Sequence, residues 1–404
     1  MNNGHAQWIQ KRLDELANQT TVGGEIWRAI YTEEDKKAKN LIKRYMEDAG
    51  LEVREDSVGN VFGSIKGFSE RVILTGSHID TVKNGGKYDG ALGVVTAISV
   101  LRSYMQRGEK PEKTIEVIAF AEEEGSRYGL GYIGSRAVVG KLTEKDLLQE
   151  DWDGVTLKEA MTSAGYDPGN VGLAKREDID MFVELHIEQG PVLGQKKKQI
   201  GIVQNIVGLR VYGIKIIGEQ NHAGTTPMQL RKDPVIAMTR FITEMNQTVK
   251  NISETATLTF GKIDAFPGMS NVVPKRVEML MDLRDGSDKN LDAIESVMAE
   301  QIKALEQVGY RITLDRLCSE PAVALDRLGI NKIRAAVREK GFSYMELDSG
   351  AGHDSQILAA QIPSCMIFIP SKDGVSHNPL EYSSLEDIEA GAEVLEKTLG
   401  LLAW

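Results

Sequence analysis

The sequence has few cysteines, only Cys318 and Cys365 in 404 residues. They are far apart and lack metal-ligand spacing, which argues against a cysteine-ligated structural zinc. Cys365 lies in an apolar run that predicts a buried strand, so we interpret it as a packed thiol. This usage fits a reducing compartment, and we expect a cytoplasmic protein.

Other absences narrow the class further. No apolar run approaches the ~20 residues that cross a bilayer, and residues 1–10 lack the apolar core of a secretory signal. The net charge is −11, and no basic patch is interleaved with aromatics. We therefore expect neither a membrane nor a nucleic acid as partner. A chain of 404 residues that is 41% hydrophobic and 26% charged is typical of a soluble protein with two domains.

Strands alternate with helices at both ends of the chain, which predicts an α/β fold. Helices are expected at 34–49, 90–104, 326–340 and 384–401, and strands at 51–55, 60–65, 71–75, 114–121, 181–187 and 365–369.

The pattern changes between residues 210 and 327. Strands at 209–217, 256–263, 277–283 and 311–317 and helices at 233–250 and 288–308 follow the order strand–helix–strand–strand–helix–strand. That order suggests a small α+β domain. We expect it to be inserted, as residues 210–327, into a larger domain of residues 1–209 and 328–404.

Six polar residues that could ligate a metal follow predicted strands, and histidine is scarce, with six in the chain. These candidates are His78, Asp89, Glu123, Glu124, His186 and His377. Open α/β sheets bind ligands at the carboxyl ends of their strands. A catalytic two-metal site needs imidazoles, carboxylates, one bridging carboxylate and a base for water.

Each candidate also has a plain alternative. His78 and His377 could be loop or turn residues, His186 a buried strand histidine, and Glu122–Glu124 a solvated acidic face. All these alternatives would have to hold at once, whereas a single metal site explains the whole pattern.

The same residues lie in sequence motifs that resemble the aminoacylase/carboxypeptidase superfamily of di-metal hydrolases, and most closely its ureido-cleaving branch. The motifs, which extend in family order over most of the chain, are Gly76-Ser77-His78-Ile79-Asp80, Gly86-Lys87-Tyr88-Asp89-Gly90, Glu123-Glu124-Gly125-Ser126-Arg127-Tyr128, Glu184-Leu185-His186-Ile187-Glu188-Gln189-Gly190-Pro191, Asn221-His222-Ala223-Gly224-Thr225-Thr226-Pro227-Met228, Gly350-Ala351-Gly352-His353-Asp354 and Ser376-His377-Asn378-Pro379.

The resemblance implies a di-metal exopeptidase-like catalytic domain with an inserted lid or dimerisation domain, and two ions per subunit. His78, Asp89 and His186 would hold one ion, and Asp89, Glu124 and His377 the other. The ions could be Zn²⁺, Mn²⁺, Co²⁺ or Ni²⁺. Two catalytic roles are also implied: Asp80 would orient His78, and Glu123 would be the general base.

The resemblance also implies how substrate is bound. His222 would stabilise the oxyanion, in its own subunit or across a homodimer, although a surface-loop histidine is the alternative. Asn271 and Arg284 would bind a substrate carboxylate, although Arg284 could instead pair with Asp282 or Asp285. Gln189 would contact the ureido group. Gly352 and His353 would shape the pocket wall, with a structural role for His353 as the alternative.

The implied activity is hydrolysis of a ureido C–N bond in a small substrate that carries a carboxylate. In this branch the substrate would be allantoate, cleaved to ureidoglycine or ureidoglycolate with release of ammonia and CO₂ in purine catabolism. Residues 194–195 depart from the branch, where an acidic residue is common, and residues 84–86 depart from many carbamoyl-amino-acid hydrolases, which we interpret as favouring allantoate. The alternatives are an N-carbamoyl-L-amino-acid hydrolase, a β-ureidopropionase, an N-acyl amino acid hydrolase or peptidase, and a binding protein without catalysis.

Overall fold

The computed structural model describes residues 4–108 and 110–404. The chain divides into two compact units, unit 1 being Met1–Gln204 with Ala324–Trp404 and unit 2 being Asn205–Val323. These boundaries precede the expected ones at 210 and 327 by a few residues. One strand ends at Ile206 and the next begins at Gly208. A continuous pair of strands gives no change of composition that would mark the boundary.

The helices predicted from the sequence are present, with ends shifted by a few residues. The α-helices are α1 (Ala6–Thr20), α2 (Glu33–Asp48), α3 (Ala91–Arg107), α4 (Ile133–Val138), α5 (Leu157–Ser163), α6 (Val192–Lys196), α7 (Pro234–Ile252), α8 (Asp288–Gln307), α9 (Arg327–Lys340), α10 (Asp354–Leu358) and α11 (Leu385–Ala403). Short 3₁₀ turns cover Asp146–Leu148, Pro168–Ala174, Met228–Leu230 and Lys372–Gly374.

The predicted strands are present as well, together with several that the sequence pattern did not indicate. The strands are β1 (Thr21–Val22), β2 (Glu25–Ile26), β3 (Glu52–Glu55), β4 (Val61–Ile65), β5 (Ser69–His78), β6 (Lys113–Phe120), β7 (Ile179–Ile187), β8 (Ile200–Ile206), β9 (Gly208–Ile217), β10 (Asn221–His222), β11 (Thr257–Phe266), β12 (Val272–Val273), β13 (Arg276–Asp285), β14 (Arg311–Glu320), β15 (Val323–Ala324), β16 (Tyr344–Ser349) and β17 (Ser364–Ile369).

The larger sheet has the strand order β15-β8-β17-β7-β5-β6-β4-β3, with β16 paired to β8. Its centre, β17-β7-β5-β6, is parallel, and His78 is in register with Phe120 on the neighbouring strand. Helix α3 covers this centre closely. A Cβ on Gly93 would meet the Leu185 carbonyl oxygen at 2.2 Å, so glycine is needed where the helix crosses β7. The parallel centre brings the carboxyl ends of four strands to one edge, where loops can carry a site.

Unit 2 is an antiparallel sheet of order β11-β13-β9-β14 with α7 and α8 on one face. Alternation along β9 and β13 buries Tyr212, Ile214, Met279 and Met281 against the helices. The order β9-α7-β11-β13-α8-β14 confirms the predicted strand–helix–strand–strand–helix–strand pattern. Within the part of the chain that the structure describes, no helix has the length and apolarity to span a bilayer.

Candidate metal centre

Five of the predicted metal ligands converge in unit 1. His78 ends β5, His186 lies at the end of β7, and Asp89 lies in the loop that leads to α3. Glu124 follows β6, and His377 lies in the loop after β17. Their ligand atoms form two sets, His78–Asp89–His186 and Asp89–Glu124–His377, in each of which the atoms lie within 4.8 Å of one another. Strand order therefore places together residues that are distant in sequence.

Asp89 belongs to both sets and presents one oxygen to each. Its Oδ1 lies 3.2 Å from His186 Nε2 and 3.7 Å from His78 Nε2. Its Oδ2 lies 3.3 Å from His377 Nε2, which in turn lies 3.4 Å from Glu124 Oε1. A carboxylate with one oxygen toward each set is the arrangement that a bridging ligand requires.

The two buried imidazoles are oriented for ligation through Nε2. His78 Nδ1 lies 3.3 Å from an oxygen of the Asp80 carboxylate, and His186 Nδ1 lies 2.9 Å from the Ile187 carbonyl oxygen. Both partners are acceptors, so they hold a proton on Nδ1 and direct Nε2 at Asp89, where a bound ion would take the place of an Nε2 proton. Gly90, at φ 61°, lets the loop cross His78, since a Cβ there would be 2.4 Å from the ring. These features fit a metal.

Asp80 also fixes the acidic segment after β6. Its Oδ1 accepts a hydrogen bond from the Glu123 backbone N–H at 3.0 Å, and its Oδ2 accepts one from the Glu124 N–H at 3.1 Å. The Glu123 carboxylate is buried, and its Oε2 lies 4.0 Å from His78 Nε2. Glu123 and Glu124 are therefore directed into the site, and the acidic run is not a solvated face. A single buried carboxylate positions one imidazole and two glutamates.

The electrostatics of this cluster favour a cation. Burial raises the pKa of Glu123 well above its ordinary value. Burial and the charge of Asp89 raise the pKa of Glu124 to about 7. Burial alone would raise the pKa of Asp89, but hydrogen bonds from His186 and His377 hold it well below its usual range. The hydrogen bond between His377 and Asp89 also raises the pKa of His377 to about 9. In this cluster, protons on the histidines and glutamates offset the negative charge of the carboxylates. Divalent ions bound at the same position would offset that charge instead.

Three predicted pocket residues also lie in unit 1. Gln189 Nε2 donates to Asp89 Oδ2 at 2.9 Å, while its buried Oε1 has no partner among the described residues. His353 is buried, with its ring 4.5 Å from that of His186 and its Nε2 3.0 Å from Ser349 Oγ. Burial and His186 lower the pKa of His353 well below its ordinary value, so it packs as a neutral ring. A Cβ on Gly352 would lie 2.0 Å from the Tyr132 hydroxyl, which excludes a side chain.

The predicted residues of unit 2 are more exposed. His222 ends β10, Asn271 immediately precedes its partner strand β12, and the Ala223 N–H donates to the Asn271 carbonyl oxygen at 3.0 Å. The N–H groups of Gly224 and Thr225 donate to His222 Nδ1 at 3.0 and 3.2 Å. This arrangement places the proton of the neutral ring on Nε2, where it can be donated. Arg284, on β13, pairs with Asp282 at 2.9 Å, as the alternative interpretation expects.

The sequence did not indicate two further residues at this site. Arg28 is 1% exposed, and its pKa falls to about 10 because burial outweighs the charges of Asp80 and Glu381. Nothing in its sequence neighbourhood predicts a buried charge. Glu381 is buried beside Asp89. Its position four residues after His377 was a possible signal, because both side chains leave the same loop.

Comparisons with known proteins agree with this geometry. The chain belongs to the peptidase family M20/M25/M40, whose model matches residues 74–400. It is 42% identical over 386 residues to the allantoate amidohydrolase of Bacillus subtilis (strain 168), a match that covers 94% of this chain and 93% of that protein. It is 39% identical to the N-carbamoyl-L-amino acid amidohydrolase of Geobacillus stearothermophilus, with 97% and 96% covered.

The fold is also similar to a solved structure. The crystal structure of an amidase of the hydantoinase/carbamoylase family from Burkholderia multivorans matches with a TM-score of 0.93 at 32% identity, and the match covers 98% of each chain. The resemblance predicted from the sequence motifs and the mixed α/β fold are thereby confirmed.

Proposed function

We propose that this protein is a metal-dependent amidohydrolase that cleaves a ureido C–N bond, with allantoate as its substrate. The observation that carries the proposal is Asp89, whose two oxygens face two separate ligand sets. A pair of divalent ions held by these sets would polarise the ureido carbonyl and make water acidic enough to attack it. The relatives named allantoate amidohydrolase and N-carbamoyl-L-amino acid amidohydrolase support a ureido substrate.

Glu123 is the residue to which we assign proton transfer. Its buried carboxylate lies beside His78 and outside the two ligand sets that share Asp89, and it forms a third group of possible ligands with His78 and Glu124. It would take a proton from the attacking water and return it to the leaving nitrogen as the C–N bond breaks. The carbamate so released would decompose to ammonia and CO₂.

Substrate binding is assigned by resemblance. His222 would donate its Nε2 proton to the oxyanion, which the hydrogen bonds to its Nδ1 support. Arg284 and Asn271 would bind the substrate carboxylate. Gln189 would contact the ureido group, and its unpartnered Oε1 could accept from a ureido N–H. Gly352 and His353 would form the wall beside His186.

The assembly and location follow from the same resemblance. We propose a cytoplasmic homodimer formed through unit 2, in which exposed Met228 and helix α7 are candidate contacts. Light scattering tests the homodimer by measuring the mass of the protein in solution. A fully active monomer would remove both the homodimer and any role of His222 across subunits.

The test of the function is ammonia release by chelator-stripped protein with Mn²⁺ or Zn²⁺ restored. Allantoate is compared with N-carbamoyl-L-amino acids, N-carbamoyl-β-alanine, N-acetyl amino acids and dipeptides, with acid or amine release measured for the last two. We expect metal-dependent turnover of allantoate. Turnover of carbamoyl amino acids alone would support the proposed mechanism but would show that allantoate is not the substrate. Turnover of only acetylated substrates or dipeptides would contradict the ureido assignment.

A further inference from the structure

Glu381 joins two loops that are remote in sequence. Its Oε1 accepts hydrogen bonds from the backbone N–H groups of Tyr88 at 2.8 Å and Asp89 at 2.9 Å, across 292 positions of the chain. Its Oε2 accepts one from Ser376 Oγ at 2.9 Å. The carboxylate is 4% exposed, so these bonds are shielded from water. A buried carboxylate with three donors is held in one orientation.

The loops that Glu381 joins carry Asp89 and His377. Neither residue lies in a strand or helix, and His377 has a φ of 52° with about half of its side chain exposed. No ladder of backbone hydrogen bonds between these described loops fixes their distance. Gly86 shows how tightly the carboxylate is enclosed, because a Cβ there would lie 2.2 Å from Glu381 Oε1.

Ser376 links Glu381 to the ligand itself. Its hydroxyl lies 2.9 Å from Glu381 Oε2 and 3.2 Å from Asp89 Oδ2, and it has one proton to donate. An ion on Asp89 Oδ2 would withdraw electron density from that oxygen, and the hydroxyl proton would then be available to Glu381. The chain from Glu381 through Ser376 to Asp89 thus ends at the oxygen that faces His377.

We infer that Glu381 is the positioning residue that holds Asp89 and His377 at ligating distance, and that it thereby sets the affinity of the Asp89–Glu124–His377 set for its ion. This inference rests on the proposed two-metal function. It predicts a larger effect on this ion than on the other, because the other set shares only Asp89 with it and its imidazoles are oriented by Asp80 and the Ile187 carbonyl, which Glu381 does not contact.

The experiment titrates Zn²⁺ into metal-free protein against a competing chelator and resolves the affinities of two ions. Glu381→Ala should weaken the binding of one ion by about 10-fold to 100-fold, the range seen when partners of metal ligands are removed. The affinity for the other ion should stay within a few-fold of that of the unchanged chain. Glu381→Gln should weaken the binding of the first ion less, since its Oε1 can still accept both N–H groups. Adding Glu381→Ala to His377→Ala should cause little further loss, because both act on one ion.

Glu389→Ala is the matched control for a purely structural role. Glu389 also accepts two consecutive backbone N–H groups, those of His5 and Ala6, at 3.0 and 2.6 Å, but it contacts neither ligand set. Its loss should lower the melting temperature of the metal-free protein and leave both affinities unchanged. The inference is wrong if Glu381→Ala binds both ions as tightly as the unchanged chain, or if Glu389→Ala weakens the same ion equally. An unchanged chain that binds no ion would instead overturn the proposed function.

Discussion

Unit 1 and unit 2 hold their predicted site residues in different ways. In unit 1, His78, His186 and Glu123 are buried, and Asp80 and the Ile187 carbonyl fix their orientation. In unit 2, His222 and Asn271 are exposed, and local backbone N–H groups orient the His222 ring. Buried polar groups must be paired to be tolerated, and pairing fixes them in advance of ligand binding. The fold of unit 1 therefore fixes the candidate ligands in advance, whereas His222 and Asn271 of unit 2 are exposed for the substrate-binding role that we propose.

The largest expected effect is on a buried residue of unit 1. Glu123→Gln removes the proposed proton acceptor while keeping its size, and we expect turnover to fall by about 1,000-fold or more. Metal analysis should still find the ions of the parent chain, because Glu123 lies outside the two sets that share Asp89. Loss of an ion would make Glu123 a ligand, and retained turnover would disprove its role as the base.

The exposed histidine of unit 2 should show catalysis without metal binding. We expect His222→Ala to lower kcat by about 100-fold to 1,000-fold, as loss of an oxyanion donor does. Its metal content and melting temperature should stay close to those of the parent chain, because His222 is exposed and belongs to neither ligand set. Unchanged kcat would leave His222 as a surface-loop residue.

Arg284 sharpens the comparison inside unit 2, because β13 carries a matched control. Arg284 pairs with Asp282 at 2.9 Å, and Arg276 pairs with Glu278 at 2.8 Å with the same spacing on the same strand. Arg284→Ala should raise KM for a carboxylate substrate by about 10-fold to 100-fold, the value of a hydrogen bond to a charged group. Arg276→Ala should leave KM unchanged. Equal effects of the two would mean that Arg284 serves only its ion pair.

The smallest expected effect concerns a charge of unit 1 outside the site. Hydrogen bonds from His5 and Arg107 outweigh burial and lower the pKa of Glu396 to about 2. A depressed carboxyl pKa stabilises the fold above the ordinary value of 4.5, and this contribution is lost as pH falls through about 2.

Glu396→Gln should therefore lower the free energy of unfolding at pH 7 by about 1–2 kcal/mol, after allowance for its partial exposure. Urea unfolding of both proteins should show this difference narrowing steadily below pH 4.5. Turnover at pH 7 should not change, since Glu396 contacts neither ligand set. A pH-independent difference would assign the effect to packing.

The sequence was sufficient to predict that the candidate ligands of unit 1 lie together, because parallel strands impose a rule. Side chains at the carboxyl ends of β5, β6 and β7 must meet, so motifs such as 76–80 and 184–191 can be combined into one site from their order along the chain. Helix and strand periodicity located the longer elements apart from α1, β8 and β16, but not the short helices α4, α5, α6 and α10 or the two-residue strands β1, β2, β10, β12 and β15.

Contacts between residues that are remote in the chain could not be predicted from the periodicity of the sequence. Arg28 and Glu381 act through contacts with residues remote in the chain, and no local pattern records such contacts. The sequence offered Asp282 and Asp285 as ion-pair partners of Arg284, and only the side-chain geometry shows the pair with Asp282. Which substrate fits is still a proposal, because one methylene or hydroxyl in a pocket changes specificity without changing a motif.

Asp89 and Glu381 are 292 positions apart, and this separation determines the order in which the parts of the site are synthesised. A chain synthesised from its N-terminus has His78, Asp89 and His186 before unit 2 exists, and His377 only after unit 2 is complete. The two ligand sets are therefore completed at different times during synthesis. The Asp89–Glu124–His377 set is complete only when the last loop reaches Asp89, after every residue of the other set has been synthesised.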